Sequence, residues 1–568
     1  MTTRNIAREL SRLQLFLLTA AWIATVANLA PLRQFAHAPS AGQGIGLVAF
    51  VFGGWLFIFT LTTGLILLAG LLFPGRGAKV LAAVLLVASA VLGYFSLFLG
   101  TQFEKSMLGN ILQTDTAEAF DLVNPRVLVW IAFAGVLPAF AALRIRLLPA
   151  PFPARARRSL AVFVGLVALT LAVVYAQYPR YASAGRNHAI TINTVAPTNI
   201  LVAAIHMGVT EYAANVKRAP RGVDAHPAYT IVRPRLLFFL VGETARAQNH
   251  GLNGYLRDTT PRMRAAKAYY FPDTESCGTT TAISVPCMFS GLSRQEFSLL
   301  RARGAETLID VVVRAGARVI WLDNDSGCKD VCARADYRDR TGAADPRWCP
   351  EPGECHDEIL LDGLEAIARS ELRDTLIVLH LKGSHGPAYF KRYPPAFEHF
   401  KPACASSDLS SCEPEALRNA YDNSILYTDH VVGETVRLAE KLSDRFASAV
   451  LYVSDHGESL GENGLYLHGM PFAIAPEEQK RVPLFAWVSK SFLALEHWDT
   501  ACMARQTFVP RTHDNVYPTV LGFMEIESVE YKAALDLFEP CDPPGGGPAP
   551  PAGAPSRRAP GSFPTPAG

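Results

Sequence analysis

The hydrophobic positions of this 568-residue chain divide it in two. Before about residue 180 they form long charge-free blocks. Beyond it, short apolar runs alternate with amphipathic stretches. A membrane-spanning helix needs about 20 apolar residues. Five blocks read as spans: 13–30, 45–73, 80–103, 127–143 and 159–179. The fourth is the shortest, at 17 residues, and carries Pro138. Further spans follow the first at once, and no clear small-residue cleavage site ends it, so it reads as a span and not a signal peptide. A sixth apolar region, 200–209, is too short to cross. It reads as a helix lying on the membrane or bridging to the next domain.

In the second half the apolar runs are 236–241, 319–322, 376–381, 449–453 and 482–488. They are short and rich in β-branched or aromatic residues, as buried parallel strands are. Stretches 306–314, 358–370 and 416–442 between them read as helices. This alternation predicts an α/β domain with a mostly parallel sheet, its chemistry at the carboxyl ends of the strands. The predicted organisation is a five-span transmembrane domain (1–180), a juxtamembrane bridge (181–232), a catalytic domain (233–541) and a disordered Pro/Gly-rich tail (542–568).

Charge orients the spans. Ten basic residues (Arg4, Arg8, Arg12, Arg76, Lys79, Arg144, Arg146, Arg155, Arg157 and Arg158) fall in alternate loops, against Arg33, Lys105 and Arg126 in the others. By the positive-inside rule the N-terminus is cytoplasmic, and five spans put the second half outside. Net charge is only +2, which leaves no electrostatic case for nucleic-acid binding. All ten cysteines lie at or beyond Cys277, as disulfides in an oxidising compartment would. Spacing pairs Cys277 with Cys287, Cys328 with Cys332, Cys349 with Cys355 and Cys404 with Cys412, leaving Cys502 and Cys541. Ten cysteines allow many connectivities, and Cys328 and Cys332 also have zinc-ligand spacing.

Polar clusters follow two strand runs: Glu243-Thr244 after the first and Asp455-His456-Gly457-Glu458 after the fourth. A carboxylate there is commonly a helix cap. Brought together over the sheet, however, oxygen and imidazole donors suit Zn²⁺ or Mn²⁺. In the run 276–282, SCGTTTA, a disulfide-fixed hydroxyl at a helix N-terminus would favour phosphate. Such a hydroxyl is a poor nucleophile until a metal or base takes its proton. His385 and His468, in glycine-flanked loops, are further candidates.

Five segments carry a resemblance: VGETARAQNHGLNGYLRDTTP, SCGTTTAISVPCMFS, NDSGCKDVC, KGSHGPAYFKRYP and SDHGESLGENGLYLHG. In order, spacing and flanking cysteines they resemble the bacterial phosphoethanolamine transferases that modify lipid A, including the polymyxin-resistance enzymes. The likeness extends to about residue 525. It implies five membrane helices in the bacterial inner membrane and a periplasmic α/β domain of the alkaline-phosphatase and sulfatase-like fold. It implies Thr281 as nucleophile, with Glu243, Thr281, Asp455 and His456 holding one zinc ion. His385 and His468 would contact phosphoethanolamine or a second zinc. Ser326 and Lys329 match the donor-binding pair. Asn110, Thr114 and Glu118, spaced by four on one helical face, would reach the ethanolamine head group.

The implied reaction is a two-step transfer by a single chain acting alone. Phosphatidylethanolamine is the donor, phosphoethanolamine-threonine the intermediate and a lipid A phosphate the acceptor. His385, His468 and Lys329 would serve acid–base and charge-offsetting roles. Core heptose or another periplasmic glycan is the alternative acceptor. A sulfatase-type hydrolase would need a Cys-x-Pro-x-Arg setting, which Cys277-Gly-Thr-Thr-Thr281 lacks. A non-catalytic lipid receptor or carrier fits poorly with spans that hold almost no charge. Thr280 departs from the alanine of many relatives and sets a second hydroxyl beside Thr281.

Overall fold

The computed structural model describes residues 9–37, 44–73, 75–101, 123–177, 181, 195–199, 218–228, 233–343, 345–351, 354–407 and 409–541. The segment with Asn110, Thr114 and Glu118, the apolar region 200–209 and the tail 542–568 lie outside the described residues.

The charge-free blocks form helices α1 (Arg12–Ala27), α2 (Leu29–His37), α3 (Ile45–Leu71), α4 (Gly77–Phe98), α5 (Pro125–Arg144) and α6 (Phe152–Ala176). Backbone polar groups must be satisfied within a segment that crosses lipid, which is why these runs are helical. Among the described residues four helices are long and apolar enough to cross alone, and the bent pair α1–α2, taken as one span, makes a fifth. The block 13–30 reads as one span, with nothing in its pattern that marks a bend. The pair instead bends by 59° at Asn28, after a π turn at Ile23–Ala27. Asn28 is buried and exchanges two 2.9 Å hydrogen bonds with the backbone of Ala196. Asn28 Nδ2 also donates to the Ile23 carbonyl at 3.0 Å, which satisfies a helix carbonyl at the bend. In α5 a second π turn, Ala132–Val136, precedes the stretch that contains Pro138 and lets the helix continue past it.

The second half is built on a seven-stranded sheet. Its strands are β1 (Arg235–Gly242), β2 (Tyr269–Phe271), β3 (Arg318–Asp323), β4 (Asp336–Asp339), β5 (Thr375–His380), β6 (Ala447–Ser454) and β7 (Leu484–Val488). Their order is β2-β7-β6-β1-β5-β3-β4. The central strands β6, β1, β5 and β3 are parallel, as predicted. The run 482–488 was read with them. As β7 it runs antiparallel to both β6 and β2. An apolar run looks the same in either direction, so its direction is set by the connection before it. Stretch 358–370 is not one helix but a short 3₁₀ turn followed by a helix at Leu364–Ser370. Gly363, at φ +71°, separates the two in the left-handed region that glycine tolerates.

β1 is buried along its whole length because both faces are covered. Leu237, Phe239 and Val241 pack with α7 (Thr281–Ser290), α8 (Leu308–Arg314) and the helix Val516–Phe523. Leu236, Phe238 and Leu240 face the other way, onto α9 (Leu364–Ser370) and α10 (Pro414–Lys441). Each such side chain contributes about 1.5–3 kcal/mol by leaving water. That burial pins the strand ends where the polar clusters begin.

Candidate active site

Glu243 leaves the end of β1, and Asp455 and His456 leave the end of the adjacent β6, in register through Gly242 and Ser454. Thr281 is the first residue of α7, after Thr280 as N-cap. Sequence neighbours place none of these together; the sheet does. Thr281 Oγ1 donates to Glu243 Oε2 at 3.0 Å and lies 3.4 Å from His456 Nε2. The Thr280 hydroxyl is buried and, among the described residues, makes no hydrogen bond. The rival hydroxyl is therefore not part of this cluster.

Three side-chain ties, besides backbone hydrogen bonds to Gly469 and Lys480, hold the threonine loop. The Cys277–Cys287 disulfide joins it to α7. Thr279 Oγ1 donates to the Met470 carbonyl at 2.6 Å. The Cys277 N–H donates to His513 Nδ1 at 3.1 Å, while His513 Nε2 donates to the Ser454 carbonyl at 3.0 Å. Burial pushes His513 down to about 3, so it is a neutral imidazole bridging loop and strand. Sequence reading missed His513, which lies in no motif. The other four disulfides join Cys328 to Cys332, Cys349 to Cys355, Cys404 to Cys412 and Cys502 to Cys541. The zinc-thiolate alternative for Cys328 and Cys332 is thereby removed.

The donor atoms converge. His456 Nδ1 donates to the Gly457 carbonyl at 2.9 Å, which leaves the Nε2 lone pair pointing inward. That Nε2 is 3.3 Å from both Glu243 Oε1 and Asp455 Oδ2. Asp455 Oδ1 accepts from the Thr244 and His456 amides at 3.2 and 2.7 Å. Its Oδ2 is buried and accepts no hydrogen bond among the described residues. Burial, and then the Glu243 charge, pushes the Asp455 carboxyl well above the usual carboxylate range. Burial opposes ionisation of Glu243 too. His456, then His385 and His468, outweigh it and hold that carboxyl well below the usual range. Two buried carboxylates against each other, with one oxygen undonated and an imidazole lone pair beside it, fit a metal cation.

Glu243 belongs to a second such group, with Asp325 and His380. His380 ends β5; its Nδ1 lies 3.0 Å from Asp323 Oδ2 and its Nε2 3.7 Å from Asp325 Oδ2. Burial works against the imidazolium, but Asp323 and then Asp325 raise it to about 9. Asp325 also accepts from Ser326 Oγ at 2.9 Å, and Lys329 Nζ donates to Ser326 Oγ at 2.6 Å. The Ser326–Lys329 pair is thus wired to the Glu243 cluster. Sequence reading passed over His380 and Asp325. His380 lies within the run 376–381, and Asp325 just beyond the run 319–322 in the segment NDSGCKDVC, which was the available signal.

His468 closes the site from the β-hairpin after β6. Its ring is 4.3 Å from that of His456 and 5.7 Å from that of His385. Its Nδ1 lies 3.4 Å from Glu458, which is fully buried. Two residues earlier, the Tyr466 N–H donates to the Leu99 carbonyl at the end of α4, at 3.2 Å. The cluster around Thr281 therefore sits close to the end of α4. Asn110, Thr114 and Glu118 follow that same end of α4 in sequence but lie outside the described residues.

Comparison with known proteins gives consistent matches. The family model described as Sulfatase matches residues 235–526, and that described as Phosphoethanolamine transferase EptA/EptB matches residues 61–212. Phosphoethanolamine transferase EptA of Escherichia coli (strain K12) is 39% identical over 467 residues, covering 81% of this chain and 85% of that protein. Phosphatidylethanolamine transferase Mcr-1 of Escherichia coli is 35% identical over 547 residues, 92% and 97% of the two chains. The solved integral membrane lipooligosaccharide phosphoethanolamine transferase A (EptA) of Neisseria meningitidis superposes with a TM-score of 0.90 at 35% identity. It covers 94% of this chain and 100% of its own.

Proposed function

The chain belongs to the phosphoethanolamine transferase family, and from that premise we propose that it moves phosphoethanolamine from phosphatidylethanolamine to a phosphate of lipid A. The carrying observation is the position of Thr281 Oγ1, at a helix N-terminus and 3.0 Å from the Glu243 carboxylate. The Mcr-1 relative, a phosphatidylethanolamine transferase, supports the donor, and the Neisseria relative, a lipooligosaccharide phosphoethanolamine transferase, supports the acceptor class.

Glu243, Thr281, Asp455 and His456 would hold zinc, which when bound supplies a Lewis acid that lowers the pKa of the coordinated hydroxyl and offsets phosphoryl charge. Thr281 Oγ1 attacks phosphorus and releases its proton toward Glu243, its hydrogen-bond partner. The bond from phosphorus to the diacylglycerol oxygen breaks, and that oxygen takes a proton. His385 or His468, on the open side of the cluster, delivers it. Lys329, held by Ser326, offsets charge on the phosphoryl oxygens. A lipid A phosphate oxygen, giving its proton back to the same histidine, then attacks phosphorus; the bond from phosphorus to Thr281 Oγ1 breaks, and that oxygen regains its proton from Glu243. Asn110, Thr114 and Glu118 are proposed to hold the ethanolamine head group.

The catalytic domain is proposed to face the periplasm from the bacterial inner membrane. Donor and acceptor lipids then share one leaflet with the tethered site, which raises effective concentration. Adding an ammonium-bearing group lowers the net negative charge of lipid A, which weakens binding of cationic peptides such as polymyxin.

Mass spectrometry of lipid A from a Gram-negative host tests this. A phosphoethanolamine adduct is expected with wild type and absent with Thr281→Ala. An adduct that persists in Thr281→Ala rejects the covalent route through Thr281. Adducts on core sugars alone reject the lipid A acceptor.

A further inference from the structure

The membrane half holds a cavity that the transfer chemistry does not use. It lies between the first turns of α1 and α6 and the last turns of α3. Its volume, about 860 Å³, is in the range that holds a small-molecule ligand. The wall is mainly apolar, with Leu71 and Phe163 among its residues. Its rim carries Arg12, Arg155, Arg157 and Arg158, and no Asp or Glu lines it among the described residues.

Four guanidinium groups at one apolar cleft repel each other, and nothing described in the wall balances them. Arg12 donates to the Gly70 carbonyl and sits 5.1 Å from the Phe16 ring, neither of which neutralises it. Arg155 Nε is buried with no hydrogen-bond partner among the described residues. A buried, undonated guanidinium N–H beside three more cations points to an anionic ligand. The excess of Lys and Arg in the flanking loops places this end of the helices at the cytoplasmic face. It is thus the end opposite the catalytic cluster.

We propose that this cavity binds an anionic glycerophospholipid of the cytoplasmic leaflet. Its phosphate lies against Arg12, Arg155 and Arg158, and its acyl chains run along Leu71 and Phe163 into the bilayer. Charge complementarity selects the occupant. A zwitterionic phosphatidylethanolamine would bring its ammonium against the arginines, whereas a head group with net negative charge meets only attraction. The site is therefore distinct from the donor site in both leaflet and lipid class.

Native mass spectrometry of the full chain, exchanged into micelles holding equal phosphatidylglycerol and phosphatidylethanolamine, tests the proposal. Wild type is expected to retain one phosphatidylglycerol in preference to phosphatidylethanolamine. Arg155→Gln/Arg158→Gln should weaken that retention about tenfold or more, since each cation near the head group favours it. Arg155→Lys/Arg158→Lys keeps the charge and should keep the lipid. Equal retention of the two lipids by wild type overturns the proposal, as does undiminished phosphatidylglycerol binding by the glutamine variant. Where the glutamine variant fails to fold, the wild-type selectivity decides alone.

Discussion

Thr281 Oγ1 donates to Glu243 Oε2 at 3.0 Å, which joins the N-terminus of α7 to the end of β1 across 38 residues of sequence. A hydroxyl so placed has an acceptor for its proton and amides of a helix N-terminus beside it, where anionic charge is favoured. Thr281→Ala is expected to lower transfer by at least about 10³-fold, as loss of a covalent nucleophile does. Thr281→Ser should retain measurable transfer. Thr280→Ala should stay near wild type, because its hydroxyl is outside the cluster. Rates with a labelled phosphatidylethanolamine donor distinguish the three.

Removal of metal should be visible without any activity assay. The undonated Asp455 Oδ2 and the inward Nε2 of His456 fit a cation, and a ligand bound only by the folded state raises its stability. Chelation should therefore lower the melting temperature, and added zinc should restore it. Asp455→Asn should reduce bound zinc measured by elemental analysis and blunt the chelator effect. An unchanged zinc content in that variant would reject Asp455 as a ligand.

His513 acts on the reaction only through what it holds. It ties the Cys277 amide to the Ser454 carbonyl, and so aligns the threonine loop with the strand that carries Asp455 and His456. His513→Ala leaves two buried polar groups unpaired, at a cost of about 1–3 kcal/mol for each. The expected kinetic result is a lower kcat with KM little changed. An equal fall in both would mean that substrate binding depends on it instead.

The Cys277–Cys287 disulfide closes a short loop around Thr281, the proposed nucleophile. Replacing both cysteines by serine should cost about 2–4 kcal/mol and shift the melting temperature downward. Transfer should fall further than stability alone explains, because the loop that carries Thr281 loses one of its ties. Comparing activity at a temperature where both forms remain folded separates the two effects.

His250 gives the fold an acid sensitivity away from the cluster. It is fully buried, stacked on Tyr270 at 6.1 Å, and pushed down to about 3 by burial. The unfolded chain takes up a proton near pH 6.5, where the folded chain does not. Stability from this group is thus fully present above pH 6.5 and is lost as pH falls toward 3. At pH 5 the loss is about 2 kcal/mol. His250→Phe should flatten this part of the pH dependence in melts at pH 7.5 and 5.

How much of this was legible depends on the distance over which each feature is specified. Charge-free blocks and their flanking arginines announced the membrane helices, because lipid imposes length and apolarity residue by residue. The runs that became β1, β3, β5 and β6 were legible for the same reason, since strands buried on both faces are mostly apolar between their ends. Glu243, Asp455 and His456 could be singled out because each follows such a run directly. The bend at Asn28 could not, since it rests on hydrogen bonds to Ala196, 168 residues away. Nor could the reversal of β7, whose composition matches that of its parallel neighbours. His380 and Asp325 enter the site only because β3 and β5 end side by side, next to Glu243. His513 bridges Cys277 and Ser454 only once the strands have aligned. Local chemistry and hydrophobic pattern are properties of the sequence itself. Which distant polar atoms share a buried space is decided by packing, because the low-dielectric interior tolerates them only when they meet partners.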